Sequence, residues 1–393
     1  MIRNIFSTGI CAILLAGCLH EDSSTDPRVD VTVSGFKTLS GKERFIFVHI
    51  KPGQNSAGAD KLYFTGDDLI TEYDAMDVTE SSKIDSFKVT DAGDDGQWFT
   101  DDDVISNWNR TETEGDDLSL TTYFSSAGAD QQWFTEDDVV SLYTKTIKTT
   151  GPDGESNEKY FRYEAPGIDN QWFTEDDVLE SYDLSQSIGD GEEKRCLYFY
   201  RAGQDTILNT EDDLVTSNSY CTQAYKKDIE TNTTYTLKTY VGEDIVFDTA
   251  DDVNSIEARR PVTVDMVTPS GDDFSYGGES LYEIISDAGL DGEWLTEDDI
   301  LSHKSTTEIL QEQQTAFSTR DITWLAGANG ILGDDDDIVE RYSQIQVNID
   351  DEKITDIAKY YQSAGPDQQW FTTDDELDYM QTNIYFWSTY PQE

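Results

Sequence analysis

Positive charge is scarce in this chain. Its 393 residues hold 27 Lys and Arg against 81 Asp and Glu, a formal net charge of −54. A surface that binds phosphate backbones must be basic, so nucleic acid is not an expected partner. Histidine is nearly absent: only His49 and His303 fall in the region read as folded, and neither belongs to a recurring motif. No stretch resembles a nucleophile elbow or a phosphate-binding loop, so no catalytic residue is assigned. Long apolar runs are missing too. The stretch from Ile10 to Leu15 is too short to span a bilayer as a helix. High charge raises the question of disorder. Against it stand 8 Trp, 21 Tyr and 17 Phe, many at fixed positions in a repeat, so most of the chain is read as folded.

What is present is one sentence written nine times. It has a Gly, an Asp two residues later, a large apolar residue at +5, Thr near +7 and an Asp-Asp pair at +9 and +10. The clearest copies are AGDDGQWFTDDDV from Ala92, AGADQQWFTEDDV from Ala127 and AGPDQQWFTTDDE from Ala364. The anchors are Gly58, Gly93, Gly128, Gly167, Gly203, Gly242, Gly289, Gly327 and Gly365, spaced 35 to 47 residues apart. Spacing inside the motif is invariant, whereas the interval between motifs drifts. A period in this range announces a repeat architecture whose units share one continuous core.

Between motifs the pattern is that of strands. In the third unit Val139 to Lys148 is rich in β-branched and aromatic residues, Gly151-Pro152-Asp153-Gly154 marks a turn, and Lys159 to Tyr163 reads as a second strand. In the second unit Leu118, Leu120, Thr122 and Phe124 share one face, with Ser119, Thr121, Tyr123 and Ser125 on the other. Each unit thus supplies two strands, a variable turn at one end and an acidic loop at the other. The expected fold is all-β, an antiparallel β-hairpin meander of nine units and about eighteen strands. A β-propeller is the alternative, weakened because a blade needs four strands and each unit offers two. The longest interval, Gly242 to Gly289, carries an insert from Arg259 to Gly278 that is the first place to look for a cleft.

Two cysteines give a register test. Cys196 and Cys221 flank the acidic loop Gly203 to Asp213. If Ala202 pairs with Leu214, Cys196 faces Tyr220, one residue from Cys221. A register shift of one places the cysteines opposite each other, at a spacing a disulfide can bridge.

The motif carries candidate metal ligands. At +2 stand Asp60, Asp95, Asp130, Asp169, Asp205, Asp244, Asp291 and Asp367, with Asn329 in the eighth loop. The pairs are Asp67/Asp68, Asp102/Asp103, Asp137/Asp138, Asp176/Asp177, Asp212/Asp213, Asp251/Asp252, Asp298/Asp299, Asp336/Asp337 and Asp374/Asp375. Three carboxylates gathered by one loop repel unless a cation or hydrogen-bond donors compensate. A hard, flexibly coordinated cation suits them, and calcium is the candidate cofactor. Zinc would want His or Cys, which the loops lack. The spacing is not that of an EF-hand. The competing reading is that Asp side chains simply cap backbone N–H groups in turns. The +5 residues are Trp98, Trp133, Trp172, Trp294 and Trp370, with Tyr63, Phe247, Leu208 and Leu332 substituting. An exposed aromatic row could bind sugars, but replacement by Leu favours an anchor that packs the loop on the sheet.

The N-terminus has a basic Arg3, the short apolar stretch and then Leu15-Ala16-Gly17-Cys18. These features match an export signal, and LAGC resembles the lipobox of bacterial lipoproteins. The resemblance implies a signal peptide over 1–17, lipidation (palmitate among the acyl groups) at Cys18, and a polar tether over 18–28 ahead of one repeat domain, 29–393. Leu19 stands where an Asp would favour inner-membrane retention, so the implied destination is the outer membrane. The entries Tyr163-Glu164-Ala165-Pro166-Gly167 and Tyr361-Gln362-Ser363-Ala364-Gly365 resemble YD repeats of RHS proteins, whose β-hairpins spiral into a shell. That resemblance implies hairpin topology only, because the Trp-Phe-Thr-x-Asp-Asp loop departs from it. Together these features lead to the expectation of a lipid-anchored, calcium-stabilised envelope scaffold that is structural or adhesive, or binds a protein or glycan. A metal-free binding scaffold and a carbohydrate-active enzyme are the alternatives.

Overall fold

The computed structural model describes residues 28–38, 44–50, 69–80, 82–151, 154–188, 194–267, 273–313, 315–350 and 352–386. The proposed signal, Cys18 and the first acidic loop (Gly58, Asp60, Tyr63, Asp67, Asp68) lie outside them. Among the described residues there are twenty strands and no helix. The chain clusters into two compact units. One takes in 34–225 and 236–255, and the other 226–235 and 256–386 together with 28–33.

In the first unit the strands are β2 (Arg44–Ile50), β3 (Glu72–Glu80), β4 (Lys83–Asp91), β5 (Val104–Glu114), β6 (Leu118–Ser126), β7 (Val139–Thr150), β8 (Ser156–Ala165), β9 (Val178–Ile188), β10 (Lys194–Arg201), β11 (Leu214–Val215) and β12 (Tyr220–Asp228). From β2 to β10 each strand lies antiparallel to the next. In the second unit β14 (Val253–Val267), β15 (Asp273–Asp287), β16 (Ile300–Gln313), β17 (Ala316–Leu325), β18 (Ile338–Ile349), β19 (Lys353–Ser363) and β20 (Glu376–Phe386) do the same. The unit boundaries fall inside β1 (Arg28–Thr38), β13 (Thr233–Tyr240) and β14.

The all-β hairpin meander is therefore present, with corrections. Among the described residues strands number twenty rather than eighteen, so a count of two strands for each of nine units fails. Runs of nine and seven successively paired strands are too long for four-stranded blades, which removes the propeller. The described parts of the stretch Arg259 to Gly278 are strand. They lengthen β14 and β15 into the two longest strands, and Pro261 is accommodated at a bulge where no ladder N–H is needed.

Local chemistry explains the pairing. In β6 Thr122 is buried while Tyr123 and Ser125 are exposed, as period-two alternation demands. Where an acidic loop joins two strands, the register commonly slips after the first few pairs, as at Lys88/Val89 and Tyr123/Phe124. Such bulges sharpen twist and re-aim side chains at the loop end of the hairpin.

Cys196 and Cys221 pair directly and form a disulfide. The register differs from the expected one. Arg201, not Ala202, faces Leu214, and the chain leaves the ladder at Thr216 before returning as β12. A turn closed by the Ser219 N–H donating to Thr216 O (3.0 Å) takes up the offset.

The second unit has an aliphatic cluster of Val264, Met266, Phe317, Ile345, Val347, Ile349, Ile354 and Ala358, with Tyr276, Tyr360 and Tyr385 against it. In the first, Ile46, Val48, Ile50, Ala75 and Val89 are buried, and large buried residues recur along the sheet: Phe87, Trp108, Tyr143, Phe161 and Tyr182.

Candidate functional site

Eight acidic loops are described, and each Asp position has its own task. The +2 side chain folds back on the chain: Asp95, Asp130, Asp169, Asp205, Asp244, Asp291 and Asp367 accept the +4 N–H at 2.6 to 2.9 Å. These are Asx turns, the local bond that makes Asp a turn former. Asn329 does the same for the Ile331 N–H (2.7 Å).

The +9 carboxylate closes the loop from the other side. One oxygen of Asp102, Asp137, Asp176, Asp212, Asp251, Asp298, Asp336 and Asp374 accepts the +2 N–H at 2.9 to 3.2 Å. In seven loops the other oxygen takes the +7 Thr hydroxyl at 2.6 to 2.9 Å. The Thr hydroxyl and then backbone N–H groups hold Asp102, Asp137, Asp176, Asp212, Asp298 and Asp374 below the usual carboxylate range. At Asp251 the backbone bond comes first. A Cβ built on Gly93 or Gly128 would run into the carbonyl oxygen of the same +9 Asp, and both glycines have positive φ (66° and 67°). Close backbone approach, as well as handedness, thus requires Gly at the anchor.

The +10 carboxylate points inward. One oxygen of Asp103, Asp138, Asp177, Asp213, Asp299 and Asp375 accepts the +6 N–H at 2.6 to 2.8 Å. That +6 residue is left-handed even when it is Phe: Phe99, Phe134, Phe173 and Phe371 have φ between 68° and 72°. A bulky residue adopts this conformation only when its surroundings impose it. Here the left-handed turn aims the +6 N–H at the acid and the phenyl ring at the sheet.

Asp252, in the sixth loop, is held differently from the other +10 acids. Its Oδ1 accepts the N–H of the anchor Gly242 at 3.1 Å, and its Oδ2 accepts the Thr249 N–H at 3.2 Å. Both oxygens are therefore held by backbone donors, and Asp252 caps its own loop. The +6 residue beside it is Asp248, whose carboxylate is drawn to the Lys194 ammonium at 3.2 Å. That position thus supplies an ion pair where four other loops supply a phenyl ring.

Most loops are also bolted to the preceding repeat. Tyr73, Tyr143, Tyr182 and Tyr342 donate their hydroxyls to Asp103, Asp177, Asp213 and Asp375 at 2.6 to 2.8 Å. In the eighth loop the Lys304 ammonium replaces the phenol and reaches Asp337 at 2.8 Å. Burial first, then the bond to the acid, pushes the Tyr143, Tyr182 and Tyr342 hydroxyls far above their ordinary range. The same tyrosines are stacking platforms. Tyr143 lies 4.4 Å from Tyr163, 4.8 Å from Phe173 and 6.0 Å from Trp172, and Tyr342 repeats this with Tyr361, Phe371 and Trp370. The +5 Trp side chains are half-buried in this packing, which fits the anchor reading over an exposed sugar-binding row.

These donors were missed at the sequence level although a signal was present. Tyr73, Tyr143, Tyr182, Lys304 and Tyr342 all stand fifteen residues after an anchor Gly. The position varies in chemistry, so it does not stand out until the hydroxyl is seen to cross to the next repeat.

Oxygens crowd around the Thr hydroxyl. Thr174 Oγ1 has Asp169 Oδ1 at 3.5 Å, Gln171 O at 3.1 Å, Asp176 Oδ1 at 2.8 Å and Asp177 Oδ1 at 3.4 Å. Thr296 repeats the set with Asp291, Glu293, Asp298 and Asp299. One hydroxyl carries one proton, so most of these oxygens receive none from it. The inner oxygens of Asp103, Asp138 and Asp213 are buried with no hydrogen-bond partner. As they stand, no three acidic, His or Cys side chains among the described residues form a metal-holding group.

The eighth loop departs from the rest. Asp334 occupies the Thr position, and Asn329 Nδ2 donates to it at 2.6 Å. Donor and acceptor have exchanged ends: elsewhere an acid sits at +2 and a donor at +7. Asp334 next to Asp336 pushes the latter's carboxyl up.

No protein-family model and no curated protein matches this chain.

Proposed function

We propose that the chain is a lipid-anchored envelope scaffold whose repeated acidic loops bind calcium and so brace a β-meander that displays a binding surface. The observation carrying the calcium reading is the oxygen-rich centre of the loops, with unpartnered inner carboxylate oxygens in three of them. Hard oxygen donors at a flexible centre suit calcium. The +2, +9 and +10 side chains and the +4 carbonyl would hold the ion, and its charge would offset the carboxylate repulsion. The sixth loop is the weakest site on this reading, because both oxygens of Asp252 are already bonded to backbone. Export from a calcium-poor compartment would then couple to folding. The LAGC sequence ending at Cys18 supports lipid attachment and an outer-membrane destination, and the Cys196–Cys221 disulfide accords with an oxidising compartment. The displayed surface would meet an envelope protein or glycan.

A second reading rests on the saturated +9 carboxylates: backbone N–H groups and Thr hydroxyls can neutralise the loops without metal. Calcium titration of the full chain in detergent, with melting followed in EDTA and in millimolar calcium, separates the two. Each site filled at a hundred times its Kd adds about 2.7 kcal/mol. A calcium-specific rise with several ions bound per chain supports metal loops. No binding and no shift makes them self-capped turns. Mass analysis of the N-terminal peptide tests the lipid at Cys18.

A further inference from the structure

We infer that the cleft between the seventh and eighth loops binds a small aromatic amine. The second unit contains a cavity of about 620 Å³ there, walled by Leu301, Trp324, Ile331 and Leu332 and rimmed by Glu297 and Asp298. Its size is that of small-molecule sites, which are apolar with a few polar groups that fix orientation.

The cleft is lined at Leu332, where several sibling repeats carry a Trp. In the fourth and ninth loops a +5 Trp and a +6 Phe pack on the platform tyrosine of the preceding repeat. In the eighth loop these positions are Leu332 and Gly333, and the platform is Lys304. Three aromatic rings are absent from one place. The space left is partly taken by Leu301, whose Cδ1 would lie 3.1 Å from a Cβ on Gly333, and by the Lys304 ammonium, 5.8 Å from the centre of the Trp324 ring. Ile300, Leu325 and Ile331, which also line it, are exposed at 55%, 45% and 59%. Trp324 remains, held by its indole N–H donating to Thr306 Oγ1 at 2.9 Å, and gives the cleft a rigid aromatic wall.

The occupant follows from shape and charge. The second, third, fourth and ninth loops place indole and phenyl rings at the positions of Leu332 and Gly333, so an aromatic ring fits beside Leu332. The rim is acidic and the chain carries a net charge of −54, which attracts cations and repels anions. Glu297 at the rim is exposed, so an ammonium group on a short arm could reach it while the ring stacks on Trp324.

The test is calorimetric titration of the full chain, in EDTA, with phenethylammonium, its neutral isostere 2-phenylethanol and the anion 3-phenylpropionate. The expected result is saturable binding of the amine, at least fivefold weaker binding of the alcohol and none of the anion. L332W restores the sibling residue and is expected to weaken amine binding at least tenfold without lowering the melting temperature. Absence of saturable amine binding, equal binding of the alcohol, or unchanged affinity in a folded L332W overturns the inference. If L332W does not fold, E297Q decides: weakening of the amine alone supports the site, and an unchanged amine affinity overturns it.

Discussion

Replacing Tyr143 with Phe removes one oxygen and leaves the aromatic platform in place. The phenyl ring keeps its stacking against Tyr163, Phe173 and Trp172. What is lost is the 2.8 Å bond from the buried hydroxyl to Asp177 Oδ2. A hydrogen bond to a charged acceptor contributes about 1.5–3 kcal/mol. Asp177 retains two donors, the Phe173 and Thr174 N–H groups at 2.7 and 3.2 Å, so it is not left bare. The expected cost is therefore at the low end, about 1.5–2 kcal/mol, or about 3–8 °C in melting temperature for a unit of this size. Tyr163→Phe is the control, because that ring stacks alike and donates to no acid. Its cost should stay below about 0.5 kcal/mol. The pH dependence adds a second check. The Tyr143 pKa is raised in the fold above its ordinary value of 10.0, by burial and then by the Asp177 bond. Its contribution is complete below pH 10 and is lost as pH rises toward the folded value, so the gap between wild type and Y143F should narrow only above pH 10. Thermal denaturation by circular dichroism at pH 8 and pH 10.5 measures both. If Y143F costs no more than Y163F at pH 8, the tyrosine-to-acid bond does not tie loop to repeat.

Three further outcomes are expected. Gly128→Ala should cost at least about 3 kcal/mol, since positive φ and collision with Asp137 combine. Gly96→Ala, with φ of 68° but open space around it, should cost about 1 kcal/mol, and urea denaturation compares the two. Loss of the Cys196–Cys221 disulfide, which spans 25 residues, should cost about 3.5 kcal/mol in urea denaturation with and without reductant. Asp356→Asn should stabilise the protein at pH 7. Burial pushes the Asp356 carboxyl above its ordinary 3.8, so its charge destabilises the fold at neutral pH and not below 3.8. A scan of melting temperature from pH 3 to 7 should show the advantage, about 1–2 kcal/mol, vanish as pH falls through that range.

The repeat, its period and the two-strand unit are sequence properties because they are local. A loop of fixed length between β-branched runs can only be a hairpin end, and alternation sets which face each strand buries. Gly at the anchor and Asp at +2 follow from backbone geometry within ten residues, and the Asx turns at Asp95 and Asp130 show it. The pairing of Cys196 with Cys221 was nearly legible, but the ladder break at Thr216 that sets the register was not. Strand count and the failure of the propeller depend on which strand lies beside which, and long-range pairing carries no local signature. The division of labour among the acids also belongs to tertiary structure. By sequence Asp176 and Asp177 are equivalent neighbours. In the fold one faces solvent and its own loop, and the other turns inward to a tyrosine thirty-four residues earlier. Asp252 holds the same place in the motif as Asp177, yet it bonds back to its own anchor Gly242. The eighth repeat carries the same lesson: Leu332 reads as drift in a motif, and only packing shows that it lines a cleft with Trp324 and Leu301.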